Sequence, residues 1–438
     1  MFDIDEEVTR TLDRIKLPLP MRTGTLLKVV GMTLHARGLI APIGALCEVE
    51  STLGNPIQAE VVGFHHEILF LIPFTDPQGV APGATIRLVS HNTNVRVGKA
   101  LMGRVIDGRG MPLDGLPQPQ LPHSTPLLGT MINPMTRGSI HEVLDVGVKA
   151  INAFLTIGRG QRLGLMAGSG VGKSVLLSML TRFTAADVVV IGLIGERGRE
   201  VAEFIQTTLG DAGREKAVVV AAPANVSPVL RIRATHTAHA VAEYFRGLGL
   251  HVLLLIDSLT RVAHAQREVG LAIGEPPTAK GYPPSVFSLI PNLIERGGVG
   301  ERGKGSITAM YTVLAEGDDA QDPIVDIARA SLDGQVMLSR SLADAAHYPA
   351  IDLNGSISRV MQSIIDPEQW RKANHMRRLW SLYQQNAELI QVGAYQMGSN
   401  PELDEAIRMN DQLRGFLRQD MLEHFNIHQA FGMLSNLR

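Results

Sequence analysis

The sequence predicts an α/β protein in three parts: a small N-terminal β-barrel, a doubly wound parallel-sheet core and a C-terminal helical domain. Three observations predict it. Short strand-like runs with turn punctuation fill residues 19–90. Apolar runs then alternate with helical patterns through residues 91–365. From Pro367 onward strand signals vanish and helical runs dominate, with breaks at Gly393, Gly398 and Pro401.

The first 18 residues are read as an amphipathic segment, because Phe2, Ile4, Val8, Leu12 and Ile15 fall near helical spacing ahead of Pro18. Its apolar stripe suits either a partner or its own domain. The barrel is predicted from Thr25–Val30, Ala45–Val49, Gln58–Gly63 and Glu67–Ile72, separated by Gly54-Asn55-Pro56, Pro77-Gln78-Gly79 and Pro82-Gly83. His65-His66 is read as a solvated strand edge or turn. Residues 91–140 are assigned to a linker region, and the Gly- and Pro-rich stretch 101–120 is its clearest part. Beyond it, Arg162–Met166, Val188–Leu193, Ala217–Ala221 and His251–Ile256 read as buried parallel strands.

Composition narrows the function. The chain has 438 residues, 45% hydrophobic and 19% charged, which is a globular profile. Lys plus Arg number 41 against 43 Asp plus Glu, so no global charge pulls toward nucleic acid or an acidic membrane. The single cysteine, Cys47, excludes a disulfide framework and is read as a small core hydrophobe. No signal peptide or membrane-length apolar run is expected. The 14 histidines form no HExxH-like pair.

The run Ala167-Gly168-Ser169-Gly170-Val171-Gly172-Lys173-Ser174 fits the P-loop pattern, with Ala at the first Gly position. Gly168 to Gly172 let backbone N–H groups curl around phosphate oxygens. Lys173 reaches the outer phosphates, the Ser174 hydroxyl suits Mg²⁺, and the following helix adds positive potential. The chemistry implied is ATP or a similar nucleotide with Mg²⁺. The buried strand ending at Asp257 places a carboxylate where α/β sheets bind ligands, and beside a P-loop it suits the metal. In Gly195-Glu196-Arg197-Gly198-Arg199-Glu200, a Glu near bound phosphates can polarise an attacking water and an Arg can neutralise γ-phosphate charge; a solvated charged loop is the alternative.

These segments, with Asp257-Ser258-Leu259-Thr260-Arg261 and Gly281-Tyr282-Pro283-Pro284-Ser285, resemble the RecA-type hexameric ATPases of the rotary ATP synthase class. Tyr311–Asp319, Leu332-Asp333-Gly334-Gln335, His347-Tyr348-Pro349-Ala350-Ile351-Asp352 and Gly393-Ala394-Tyr395-Gln396 resemble the type III protein export ATPases within it. Gln321-Asp322-Pro323-Ile324 and Gly274-Glu275-Pro276-Pro277 lean toward the flagellar branch.

The resemblance implies a RecA-like P-loop core and an ATP hydrolase energising export, with unloading of chaperone and substrate. It implies Lys173 and Glu196 as catalytic, with Glu196 orienting water, Arg197 on the γ-phosphate and Glu200 near the Mg²⁺ waters. Tyr348 is implied as the ring stacking on adenine. Arg359, in Ser356-Ile357-Ser358-Arg359, is implied as a finger reaching the neighbouring subunit's nucleotide. Phe416 lies in the region of a second adenine aromatic. One chain carrying both P-loop and finger implies a homohexameric ring. Implied partners are a regulator or stator-like protein at the N-terminal segment, a central stalk at the C-terminal domain, and export chaperones and gate. Nucleic acid is not among them. The implied location is the cytoplasm, peripheral to the inner membrane's cytoplasmic face. Val299–Gly305 is longer than the family's usual loop. Alternatives are a rotary proton ATPase catalytic subunit, a Rho-type RNA translocase and a non-catalytic ring subunit. The acidic Asp3, Asp5, Glu6 and Glu7 oppose the RNA reading, and Glu196 opposes the last.

Overall fold

The computed structural model describes residues 23–90, 94–168, 170–314 and 322–437, the side chain of Ala212 excepted. The predicted N-terminal helix lies outside them, as do Ser169 and the Glu316–Asp319 part of the export motif. The chain divides into two compact units, Met1–Thr93 and Asn94–Arg438.

In the first unit β1 (Thr23–Val30), β2 (Thr33–Arg37), β3 (Leu46–Val49), β4 (Ile57–His65), β5 (Ile68–Pro73) and β6 (Thr85–Ser90) close a barrel in the order β1-β2-β5-β4-β3-β6. Alternating side chains point inward, and Leu26, Leu34, Val61, Leu71 and Ile86 form its core. Cys47 is buried among them, and burial pushes its thiol up to about 11. His66 sits exposed at the β4–β5 turn with φ 54°, as read from sequence.

The second unit opens with a ribbon of β7 (Asn94–Val97) and β9 (His123–Pro126), with β8 (Val105–Ile106) between them in sequence. The first half of the stretch 101–120, expected as a linker, joins the core, while residues 111–120 stay exposed or half-buried. β8 extends the main sheet alongside Val219 and Val220, and Leu101, Ile106 and Leu121 pack inside. The Asp114 carboxylate grips Arg104 at 2.7 and 2.9 Å, and that pairing holds Asp114 well below the usual carboxylate range. Glycines here serve turns, while the apolar residues between them carry the packing.

After the short pair β10 (Val143–Leu144) and β11 (Ile157–Gly158) come the principal strands. They are β12 (Arg162–Ala167), β13 (Val188–Ile194), β14 (Ala217–Ala222), β15 (His251–Asp257), β16 (Gly298–Val299), β17 (Ser306–Leu314), β18 (Gly334–Leu338) and β19 (Ile351–Ser358). The sheet runs β19-β18-β12-β17-β15-β13-β14-β8 and is parallel except for β19; β16 pairs antiparallel with β17 off this path. Every residue of β13 and β14 is buried, as strands covered on both faces require.

The C-terminal helices Pro367–Gln391, Pro401–Leu417 and Ile427–Ser435 start at Asp366, Asn400 and Asn426, whose side chains accept from first-turn N–H groups. Trp380, Leu413 and Phe431 share one hydrophobic cluster with Leu155, Leu165 and Leu177. The helical region is therefore packed into the same unit as the sheet. Phe416 is part of that packing: it lies edge-on to Phe154 with ring centroids 5.8 Å apart. Among the described residues, no helix is long and apolar enough to cross a membrane.

Candidate nucleotide site

The P-loop leaves β12 at its C-terminal end and enters the helix Lys173–Phe183. Gly170 and Gly172 take φ values of 76° and 89°, which side-chain-bearing residues rarely adopt. Val171 is buried and anchors the loop in the core. The N-terminal turn of the helix faces a cavity of about 700 Å³ lined by Gly168, Gly170, Gly172, Lys173 and Ser174.

Strand order brings the other residues here. β12 and β15 flank β17, and β13 lies beyond β15 with Leu193 opposite Asp257. Asp257 and Glu196 therefore emerge at the same sheet end as the P-loop. The Lys173 ammonium donates to Asp257 at 2.5 and 2.7 Å and to Glu196 at 3.3 Å. Thr312, on β17, donates its hydroxyl to Asp257 at 2.6 Å. The Arg261 guanidinium lies 3.7 Å from the far oxygen of Glu196. Burial pushes the Glu196 carboxyl above its ordinary value, and the nearby Asp257 adds to the rise, while Lys173 and Arg261 pull the other way.

Arg197 and Glu200 line the same cavity and pair with each other at 3.5 Å; the Arg197 side chain is 79% exposed. Tyr348 is half-exposed, and a Cβ on Gly172 would sit 3.4 Å from its ring, so ring and P-loop abut. Its carbonyl accepts from the Gln419 N–H at 3.0 Å, which ties it to the C-terminal region.

Arg359 is not brought to this cavity. It follows β19, beside the start of β18, and its N–H donates to the Asp333 carbonyl at 3.0 Å. That is the opposite end of the sheet from the P-loop. Its side chain is exposed and unpartnered among the described residues.

Three polar lining or supporting residues had no role assigned from sequence: Arg261, Thr312 and Arg340. Thr312 was detectable, since a hydroxyl inside the apolar run of β17 needs a partner once buried. Arg261 stands one helical turn beyond Asp257, a spacing that directs both to one end of the sheet.

Two family models match. Residues 147–358 fit the ATP synthase alpha/beta family nucleotide-binding domain, and residues 365–436 fit the T3SS EscN ATPase C-terminal domain. A flagellum-specific ATP synthase of Salmonella typhimurium is 53% identical over 93% of this chain and 91% of its own. The chain belongs to the flagellar and type III export ATPase family. A flagellum-specific ATP synthase of Bacillus subtilis is 46% identical over 95% of both chains. The type 3 secretion system ATPase of Xanthomonas euvesicatoria is 45% identical over 94% of this chain and 93% of its own. Among solved structures, the assembled ATPase EscN of enteropathogenic E. coli superposes with a TM-score of 0.88 at 41% identity, covering 94% of this chain and 99% of that one. EscN in complex with its central stalk EscO gives 0.87 at 40% identity, with the same coverage. As an export ATPase the protein is an ATP hydrolase of type III export, with the barrel, RecA-like core and helical region expected of it. The rotary proton pump and RNA translocase readings are not favoured.

Proposed function

We propose that this export ATPase hydrolyses Mg-ATP at the interfaces of a homohexameric ring, each site completed by Arg359 of the adjacent copy. The carrying observation is the placement of Arg359: exposed, unpartnered among the described residues and at the sheet end opposite its own P-loop. A heterologous head-to-tail contact that closes into a ring apposes those two ends. The likeness to assembled EscN supports the reading.

In this scheme Gly168, Ser169, Gly170, Val171 and Gly172 present backbone N–H groups to the phosphates, and Lys173 exchanges its carboxylate partners for phosphate oxygens. Glu196 orients and polarises the attacking water, with burial and Arg261 holding it in place. Arg197 turns from Glu200 toward the γ-phosphate. The Tyr348 ring offers a flat π face to adenine. The donor set fits Mg²⁺, which takes one or two carboxylates and completes its shell with phosphate oxygens and water: the Ser174 hydroxyl and the Asp257 carboxylate line one cavity. Ser174 and Asp257 would hold it, with Glu200 on the same wall. When bound, the metal neutralises phosphate charge.

The C-terminal region is proposed to meet a central stalk, as EscN meets EscO. The N-terminal segment is proposed to meet a regulator or stator-like protein, and the ring to engage chaperones and an export gate at the cytoplasmic face of the inner membrane. Mass measurement with and without a non-hydrolysable ATP analogue, beside specific activity against concentration, tests the ring. A monomer with full specific activity at every dilution would refute it.

A further inference from the structure

The helix that leaves the P-loop, Lys173–Phe183, carries Ser174, Ser178 and Arg182 at spacings of four, so the three lie along one side of it. Ser174 lines the nucleotide cavity. The other two, one and two turns further on, reach the segment that follows Glu196. That segment forms a wall of the cavity through Arg197, Glu200 and Phe204. It is α-helical over Gly198–Glu203, widens into a π-helical turn over Phe204–Leu209, and leaves the helical path at Gly210, with φ 63° and ψ −179°. π turns are rare and concentrate at functional sites.

The Thr208 carbonyl, inside the π turn, is held by the P-loop helix. The Ser178 hydroxyl donates to it at 2.5 Å and the Arg182 guanidinium at 2.6 Å, and the same Arg182 nitrogen lies 3.5 Å from the Ser178 oxygen. Ser178 is buried and Arg182 half-buried. The Arg182 side chain has no carboxylate partner among the described residues. Its charge is directed at a backbone carbonyl, and a charge-assisted bond is shorter and stronger than a neutral one. Phe204 and Leu209 share a hydrophobic cluster with Leu176, Leu177 and Leu180, so burial already brings turn and helix together. Burial is non-directional. The polar bonds to Thr208 are what fixes the register of the turn on the helix.

We propose that Ser178 and Arg182 are positioning residues for Arg197 and Glu200. By gripping Thr208 they set how far that pair projects over the cavity, and they pass a movement of the P-loop helix on nucleotide binding to the cavity wall. The inference rests on the role proposed above for Arg197 and goes beyond it by naming what aims it. Neither Ser178 nor Arg182 lines the nucleotide cavity, so their loss should appear in turnover rather than in binding.

The test uses the full chain with Ser178→Ala and Arg182→Met together, which removes both donors and keeps an apolar stem at 182. Its kcat is expected to fall about tenfold or more, the size of a lost charge-assisted bond, with Mg-ADP affinity within about twofold of wild type. Arg182→Lys, which keeps a charged donor, is expected to stay within about threefold of the wild-type kcat. Hydrogen exchange gives a second readout. A non-hydrolysable ATP analogue is expected to slow exchange across both the P-loop and residues 198–209 in the wild type, and across the P-loop alone in the double variant. Ser178→Ala alone, which removes one oxygen, carries the same two readouts if the double variant fails to fold. Wild-type kcat in the double variant, equal losses of Mg-ADP affinity and kcat, or nucleotide protection of 198–209 that survives the double change would overturn the proposal and leave the role of Arg197 intact. Arg182→Lys losing as much as Arg182→Met would do the same. Arg197→Ala turning over at the wild-type rate would overturn the role of Arg197 itself, and the proposal with it.

Discussion

Replacing Asp257 by Asn should tighten metal-free nucleotide binding, although Asp257 is proposed to hold Mg²⁺. Lys173 is engaged before any nucleotide arrives: it donates to both oxygens of Asp257 at 2.5 and 2.7 Å and more weakly to Glu196 at 3.3 Å. The Lys173 and Asp257 side chains are only 14% and 6% exposed, so water screens the pair poorly. An incoming phosphate must draw Lys173 from Asp257 and then lie near that carboxylate. A charge-assisted hydrogen bond contributes ~1.5–3 kcal/mol net, and ~1.4 kcal/mol is a tenfold change in affinity. Asp257→Asn keeps the shape and the Thr312 contact while removing the charge. ADP affinity in EDTA should therefore rise about ten- to a hundredfold. With Mg²⁺ present the order should reverse, and turnover should fall by about a hundredfold or more. Titration with a fluorescent ADP analogue in EDTA and in Mg²⁺ measures both arms. EDTA affinity unchanged or weakened would show that Lys173 is not held back by Asp257.

Lys173→Ala should abolish turnover and lower the stability of the nucleotide-free chain by ~3–5 kcal/mol, because buried Asp257 loses its paired cation and Glu196 is left with Arg261 at 3.7 Å; urea titration reads the loss. Glu196→Gln should cut hydrolysis by about 10²–10⁴-fold while trapping bound ATP. Its stability should move the other way. Glu196 is raised in the fold, so its contribution is present at acid pH and lost as pH rises through the folded value. The variant should thus melt at or above wild type near neutral pH, with the gap closing toward acid, and a lower neutral melting temperature would contradict this. Tyr348→Ala should raise the KM for ATP several-fold with less effect on kcat, and should erode discrimination between ATP and a pyrimidine nucleotide; unchanged base preference would remove Tyr348 from the adenine site.

Much of the fold was legible because its signals are local. Fully apolar runs such as Val188–Ile194 and Ala217–Ala222 admit few alternatives to buried parallel strands. The P-loop glycines likewise declare their backbone. Within residues 101–120 the first half misled, because glycine and proline punctuate both linkers and tightly turned core segments. Only long-range facts, β8 beside β14 and Arg104 on Asp114, separate the two. In the site, Lys173, Asp257 and Glu196 converge because strand ends converge. Their mutual pairing was not legible, since it depends on the order of β12, β17, β15 and β13. Phe416 has the right residue type for a base-stacking ring, yet Phe154 claims its edge. Sequence alone does not rank a core partner against a ligand.

The central claim is that each site draws on two copies, and mixing two inactive chains tests it most directly. Arg359→Ala keeps an intact P-loop, and Lys173→Ala keeps an intact finger. In rings formed from equal amounts at random, about a quarter of the junctions pair an intact P-loop with an intact finger. The account predicts that neither variant alone hydrolyses ATP and that the mixture recovers a measurable fraction of wild-type turnover, rising with ring assembly. Mixed rings verified by mass that remain inactive, or Arg359→Ala alone turning over at the wild-type rate, would contradict it.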